Sequence, residues 1–186
     1  MDSQTMMIVA VVVLAVLIGV AAWAYLSRQR RARVRERFGP EYERTVKTVG
    51  DQAKAEAILT ERAKRVDRFR LRPLSKDQAQ TFTDQWRRVQ ARFVDDPDGA
   101  VGAADELVTQ LMTARGYPLE DFDRRAEDVS VDHPHVVENY RTARALVQRR
   151  SRGEATTEEL RQAVVNYRAL FDDLLEVDER RTRRAS

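Results

Sequence analysis

From Met6 to Leu26 the chain runs for 21 residues without a charged side chain. At about 1.5 Å of rise per residue, a helix of this length spans the roughly 30 Å hydrocarbon core of a bilayer. A buried helix of a water-soluble protein shows a polar stripe where it meets solvent, and this segment has none. Trp23 and Tyr25 stand at its C-terminal end, where amphipathic rings favour the headgroup layer. The sequence therefore predicts one transmembrane helix.

A cleaved signal peptide is the competing reading. Such peptides open with a basic segment, whereas Asp2-Ser3-Gln4-Thr5 carries no lysine or arginine. Ala22-Trp23-Ala24 does imitate a small-x-small cleavage site. A secreted helical protein released by cleavage is accordingly the alternative expectation.

Orientation follows from the flanks. Arg28, Arg30, Arg31, Arg33, Arg35 and Arg37 all follow the apolar segment, and no basic residue precedes it. The positive-inside rule places that flank in the cytoplasm. The expected location is the cell (inner) membrane, single-pass, with the N-terminus outside and the remaining chain cytoplasmic. The lipid bilayer is then the first partner. The same six arginines are candidate contacts for anionic lipid headgroups, at roughly 1 kcal/mol for each one near the surface.

The formal charge of +3 hides an uneven distribution. The segment 28–37 holds six arginines and one acid, and the tail 178–186 holds four arginines and two acids. Residues 38–177 hold 23 basic and 26 acidic residues. A net acidic body argues against nucleic acid as a partner, since that affinity rests on clustered positive charge. The late basic stretch Arg141, Arg144, Arg149, Arg150 and Arg152 reads as a solvated helix face with favourable dipole placement. Arginine greatly outnumbers lysine, which occurs only at positions 47, 54, 64 and 76. We read this preference as coding bias.

Beyond the membrane segment the chain is long enough for one ordinary domain with a real core. Charged residues make up 34% of it, and Gly and Pro are few, which favours helix over sheet. The punctuation is local and legible. Gly39-Pro40 opens a short helix ending near Gly50, and Asp51 caps a second running to about Phe69. Ser75 and Gln78 form a capping box before Ala79, Phe82, Trp86, Val89 and Phe93, one apolar stripe at spacings of three and four. That stripe is also the candidate seam if the chain self-associates. Asp96-Pro97 starts a helix carrying Val101, Ala104, Val108 and Leu111, stopped at Gly116. A shorter helix is expected around Leu119 to Asp128. Asp132 is expected to cap the next, with Val136, Tyr140, Ala143 and Val147 inward and Gly153 at its end. Thr156 and Glu159 form another capping box before Leu160, Val164, Tyr167, Phe171 and Leu174.

The expected fold class is all-α: an N-terminal transmembrane helix followed by a compact bundle of five or six helices. The divisions are 1–27 for the N-terminal tail and transmembrane helix, 28–38 for a basic juxtamembrane linker, 39–177 for the helical domain and 178–186 for a basic disordered tail.

No motif supplies an enzyme. The absence of cysteine removes disulfides, thiol nucleophiles and Cys-based metal sites. The two histidines, His133 and His135, are two residues apart across Pro134, which is not the helical spacing of a paired metal site. Asp95-Asp96-Pro97-Asp98-Gly99 lacks the alternating oxygen ligands and closing glutamate of a calcium loop. The glycines form no phosphate loop or dinucleotide fingerprint. Ser130, Asp132 and His133 have the residue types of a nucleophilic triad, but such triads are assembled from separate elements. Glu158, Glu159, Asp172 and Asp173, with Arg161 and Arg168 nearby, read as a solvated face. Catalytic, cofactor and metal residues are therefore expected to be none.

Five strings carry a resemblance. Glu36-Arg37-Phe38-Gly39-Pro40-Glu41-Tyr42, Ala91-Arg92-Phe93-Val94-Asp95-Asp96-Pro97, Arg115-Gly116-Tyr117-Pro118, Val131-Asp132-His133-Pro134 and Val137-Glu138-Asn139-Tyr140-Arg141 look like those of an uncharacterised family of bacterial single-pass, membrane-anchored helical proteins. The resemblance implies bacterial origin, one anchor and a helical domain, and brings no catalytic residues.

The expected function is a membrane-tethered, non-enzymatic helical interaction module with an unknown protein partner. A self-associating envelope or division scaffold is the alternative. Tyr42, Tyr117 and Phe122, aromatic residues outside the stripes, are the candidate partner contacts.

Overall fold

The computed structural model describes the backbone of residues 3–118 and 120–185, with side chains described from 12 to 175 except at 27, 30 and 119. Among these residues there is helix and no strand. The chain forms two compact units, Met1–Arg37 and Phe38–Ser186.

The first unit belongs to helix α1 (Ser3–Phe38). The basic linker expected at 28–38 has no break of its own; it continues the apolar helix. From Val12 onward α1 is long and apolar enough to cross a membrane, by length and composition. Val12, Val13, Leu14, Val16, Leu17, Ile18 and Val20 are each more than half exposed.

The second unit contains α2 (Pro40–Val49), α3 (Gln52–Val66), α4 (Lys76–Arg92), α5 (Pro97–Arg115), α6 (Phe122–Asp132), α7 (Val137–Ser151) and α8 (Thr157–Ala185). Among the described residues the bundle has seven helices, one for each segment that the sequence punctuates, against the five or six expected to pack together. Expectations about the tail 178–186 fall on side chains outside those described.

Most helix ends sit where local chemistry puts them. Asp51 accepts from the Lys54 amide, Ser75 and Gln78 form a reciprocal box, and Asp96 accepts from the Gly99 amide. Thr156 and Glu159 pair the same way at the start of α8. Gly116 closes α5 at φ 96°, and a Cβ there would lie 2.7 Å from the Arg70 carbonyl oxygen. Glycine is therefore required both for the left-handed turn and for close approach of the 67–75 linker. Arg72 adds two bonds to this end of α5, donating its amide to the Arg115 carbonyl and its Nε to the Ala114 carbonyl.

One boundary differs from expectation. Asp132 does not cap a helix; it is the last residue of α6, and its carboxylate faces the Tyr117 hydroxyl at 3.4 Å. Asp121 caps α6 instead, so that helix begins at Phe122. Leu119, where its start was expected, lies outside the described residues. His133-Pro134 interrupts the chain because the residue before proline is pushed out of helical geometry. Helix α7 then starts at Val137 without a side-chain cap.

The most extensive packing is of α8 against α7 and α5, then of α4 against α5. Trp86 and Val89 of α4, Leu107, Val108 and Leu111 of α5, Tyr140 of α7, and Tyr167, Leu170, Phe171 and Leu174 of α8 share one core. Trp86 meets Phe171 with ring centroids 4.7 Å apart, and the Arg168 guanidinium lies over the Trp86 ring. The Ala79–Phe93 stripe is therefore used within the chain: Trp86 and Val89 are buried, and Phe82 and Phe93 pack against the same core. The Trp86→Ala variant should lose about 3–5 kcal/mol of domain stability, the usual cost of deleting a buried aromatic. Trp86→Phe should lose clearly less; urea unfolding of the full chain in micelles checks both.

Candidate functional site

Helices α2 and α3 stand apart from this core in how they are held. Phe38, Tyr42, Ala55, Leu59, Ala63 and Val66 are buried, yet none belongs to the main core cluster. Helix α2 packs on α3, and α3 on α6. Across these joints runs a row of arginine–carboxylate pairs.

Glu41, in the first turn of α2, is its centre. Its side chain is 3% exposed and is gripped from two sides. Arg62 Nη1 of α3 donates at 2.9 Å, and Arg141 of α7 donates through Nη1 and Nη2 at 2.7 and 2.9 Å. Arg62 also reaches Glu127 of α6 at 3.0 Å. One turn on, Arg65 donates to Asp128 at 2.6 Å and to Glu127 at 3.1 Å. Arg44 of α2 meets Glu138 of α7 at 2.6 Å on the exposed edge. A cleft of about 240 Å³ opens beside these groups, lined among others by Arg44, Thr45, Ile58, Arg62, Asp123 and Arg141.

The electrostatics of the seam are mixed. Burial pushes the Asp128 carboxyl above its ordinary value, and the Arg65 contact pulls it back only in part. Burial works against the Arg65 charge, but Asp128 and Glu127 hold that guanidinium above its ordinary value. The same balance holds at Arg141, where Glu41 outweighs desolvation. A second polar group lies inside the main core. Tyr140 and Tyr167 are fully buried, and burial raises both phenols, Tyr140 to about 12. Arg144 lies over the Phe122 ring and 3.5 Å from Asp105.

The residues singled out in the sequence are placed as follows. Tyr42 is buried and donates its hydroxyl to Glu56 at 2.9 Å. Tyr117 is buried and meets Phe69 edge-on. Phe122 is half-buried, its ring tilted against Tyr140 with centroids 4.7 Å apart. Tyr42 and Tyr117 thus pack inside the domain, Tyr117 and Phe122 against the main core, and only Phe122 keeps part of its ring at the surface. Trp23 and Tyr25 are exposed on α1. Of the six juxtamembrane arginines, Arg28, Arg31, Arg33, Arg35 and Arg37 lie on α1, and the side chain of Arg30 is outside the described set.

Ser130, Asp132 and His133 are not brought together as a triad. The Ser130 hydroxyl donates to the Glu127 carbonyl, and Asp132 faces Tyr117. His133, 2% exposed, pairs through Nδ1 with Asp173 of α8 at 2.5 Å. His135 lies against Gly39, where a Cβ would come within 3.3 Å of its ring. Among the described residues no group of three or more acidic or histidine side chains could hold a metal ion. The late basic stretch is engaged internally: Arg141 with Glu41, Arg144 with Asp105, Arg149 with Glu159 and Arg150 with Asp98.

Removing one partner of a buried pair strands the other in a poorly solvated place. Arg65→Met should therefore cost about 3 kcal/mol, and adding Asp128→Leu should restore most of it; chemical unfolding of the two variants tests this. The raised Asp128 value also fixes the sign of a pH effect. A carboxyl whose folded value is raised favours folding in its protonated form, below the unfolded value of about 3.9. That contribution fades as pH rises through the folded value. The stability of the wild type relative to Asp128→Asn should hence grow as pH falls from neutral through the unfolded value. Asp96 and Glu159 act in the opposite sense. Backbone hydrogen bonds at their caps, with Arg92 and Arg149 beside them, lower both carboxyls, so their contribution is lost on acidification.

Set against known proteins, the chain matches no family model, no curated protein and no solved structure.

Proposed function

We propose that this chain is a single-pass membrane protein that holds a non-enzymatic, helical interaction domain at the cytoplasmic face of the cell membrane. The observation that carries this reading is α1 itself. A long, uncharged, solvent-facing apolar helix runs without a break into six arginines and then into a folded domain. Outside a bilayer that apolar surface would have no favourable environment. The arginines fit an inner-leaflet position and contact with anionic headgroups. The resemblance of the Glu36–Tyr42 and Val137–Arg141 strings to bacterial membrane-anchored proteins supports the same reading.

The domain surface suits a polar protein partner. Among its described large apolar residues only Ile58, Val94 and Val165 are exposed, and the others are buried or half-buried. Recognition would therefore rest on charge and shape, which gives orientation and fast encounter more than raw affinity.

With no native cysteine, a single Ser186→Cys label reports position cleanly. The engineered thiol should react with a membrane-impermeant maleimide only after the cells are opened, and the chain should stay with membranes through alkaline carbonate extraction. Labelling on intact cells would overturn the orientation. Release by carbonate would overturn the anchor.

A further inference from the structure

The cleft beside Glu41 is not itself a persuasive ligand site, because its guanidiniums are already matched by carboxylates. Arg44 has Glu138, Arg62 has Glu41 and Glu127, and Arg141 has Glu41 and Glu138. What the arrangement describes better is a joint.

We infer that α2 and α3 form a flap latched to the rest of the domain by the Glu41–Arg62–Arg141 and Arg65–Asp128–Glu127 pairs, and that it opens as a unit while α4–α8 stay folded. Four observations support this. First, the apolar set that α2 and α3 bury is thin: Tyr42, Ala55, Leu59, Ala63 and Val66, one aromatic and two alanines among them. The main core by contrast is filled by Trp86, Tyr140, Tyr167, Phe171 and several leucines. Apolar burial scales with the area removed from water, so the flap has far less of it.

Second, the ionic pairs span the joints. Arg62 and Arg65 tie α3 to α6, while Glu41 and Arg44 tie α2 to α7. Such a pair adds little net stability when whole but strongly opposes the folded state when one partner is missing. A contact of this kind is closer to two discrete states than to a gradual one.

Third, the pivot is defined. Phe69 packs on Tyr117, and Leu71 and Leu74 pack against the main core. Arg72 is bonded to the end of α5, and the Arg70 carbonyl lies against Gly116. The linker beyond Phe69 is thus fixed to the body, whereas the turn at 67–68 is hydrogen-bonded back into α3, so the junction between flap and body falls at Phe69.

Fourth, the flap is the part of the domain that directly continues from α1 in sequence. A change in the state of an anchor is transmitted along the chain first to α2. Opening would present Leu59, Ala63 and Val66, now buried, as a small apolar face near the arginines that release it. Low-stability elements of this kind are the ones that move in regulation.

Hydrogen exchange on the full chain in lipid nanodiscs tests the inference. In the unmodified protein, amides of Glu41–Val66 should exchange at least about tenfold faster than those of α5 and α8, through a sub-global opening. Glu41→Gln and Arg65→Met act on different pairs of the same latch. Each should raise exchange in α2 and α3 by a further factor of about ten while leaving α5 and α8 unchanged. Equal protection of α2, α3, α5 and α8 in the unmodified protein would overturn the inference without any variant. So would variants that accelerate all helices alike, or none.

Discussion

One face of α8 is the surface on which the domain is assembled. Leu160, Ala163, Tyr167, Leu170, Phe171 and Leu174 are all 2% exposed or less. Helices α5 and α7 both lie against that face, and Trp86 of α4 reaches it at Phe171. A helix with so wide an apolar stripe is not stable alone in water; its stability comes from the partners that cover it. The core is therefore complete only when α8 has joined α4, α5 and α7. The Trp86–Phe171 contact ties α4 to α8, far apart in sequence, so closing it carries a larger loop-entropy cost than the contact of Tyr140 with Tyr167 between consecutive helices.

The other joint in the domain uses different physics. Between α3 and α6, and between α2 and α7, the contact is made by guanidiniums and carboxylates, several of them removed from water. Taking a carboxylate such as Glu41 out of water is unfavourable unless it is well bonded. Here it receives three hydrogen bonds from two guanidiniums. The result is directional: the arginine forks accept one geometry and reject a slid or rotated one. An apolar core fixes that helices come together; this seam fixes how α2 and α3 are turned.

The local parts of this design are readable from the residues. The Ser75–Gln78 box, the Asp51 and Asp96 caps, the Gly116 stop and the Thr156–Glu159 box involve neighbours within four positions, so spacing alone reveals them. Stripes read correctly for the same reason, since residues three and four apart share a helix face. Asp132 misleads because it stands where a cap residue would, yet proline two positions on forces the chain out of helix and leaves the carboxylate to Tyr117. The aromatic residues Tyr42, Tyr117 and Phe122 look unassigned on a helical wheel because their packing partners come from other elements. The seam leaves almost no signal in the sequence. Arg65 and Asp128 are 63 positions apart, and Glu41 and Arg141 are 100 apart. With 33 basic and 30 acidic residues, sequence alone offers far too many pairings to select these. The position of Arg62 and Arg65 beside the Leu59–Ala63–Val66 stripe is the one trace, for a charge flanking an apolar face is a charge near a joint.

The preference for arginine has a consequence for the chemistry that can reach this protein. All four lysines, at positions 47, 54, 64 and 76, are exposed and lie within α2, α3 and the start of α4. None is a member of the pairs that join α2 and α3 to α6 and α7. Acylation of lysine side chains, whether enzymatic or by reactive thioesters, therefore leaves every one of those pairs intact. Amine-directed fixatives and crosslinkers attach to side chains only along that narrow stretch and are blind to the surfaces of α5, α6, α7 and α8. The domain's charge is in this sense chemically silent: abundant, ordered and beyond the reach of the commonest modification of basic residues.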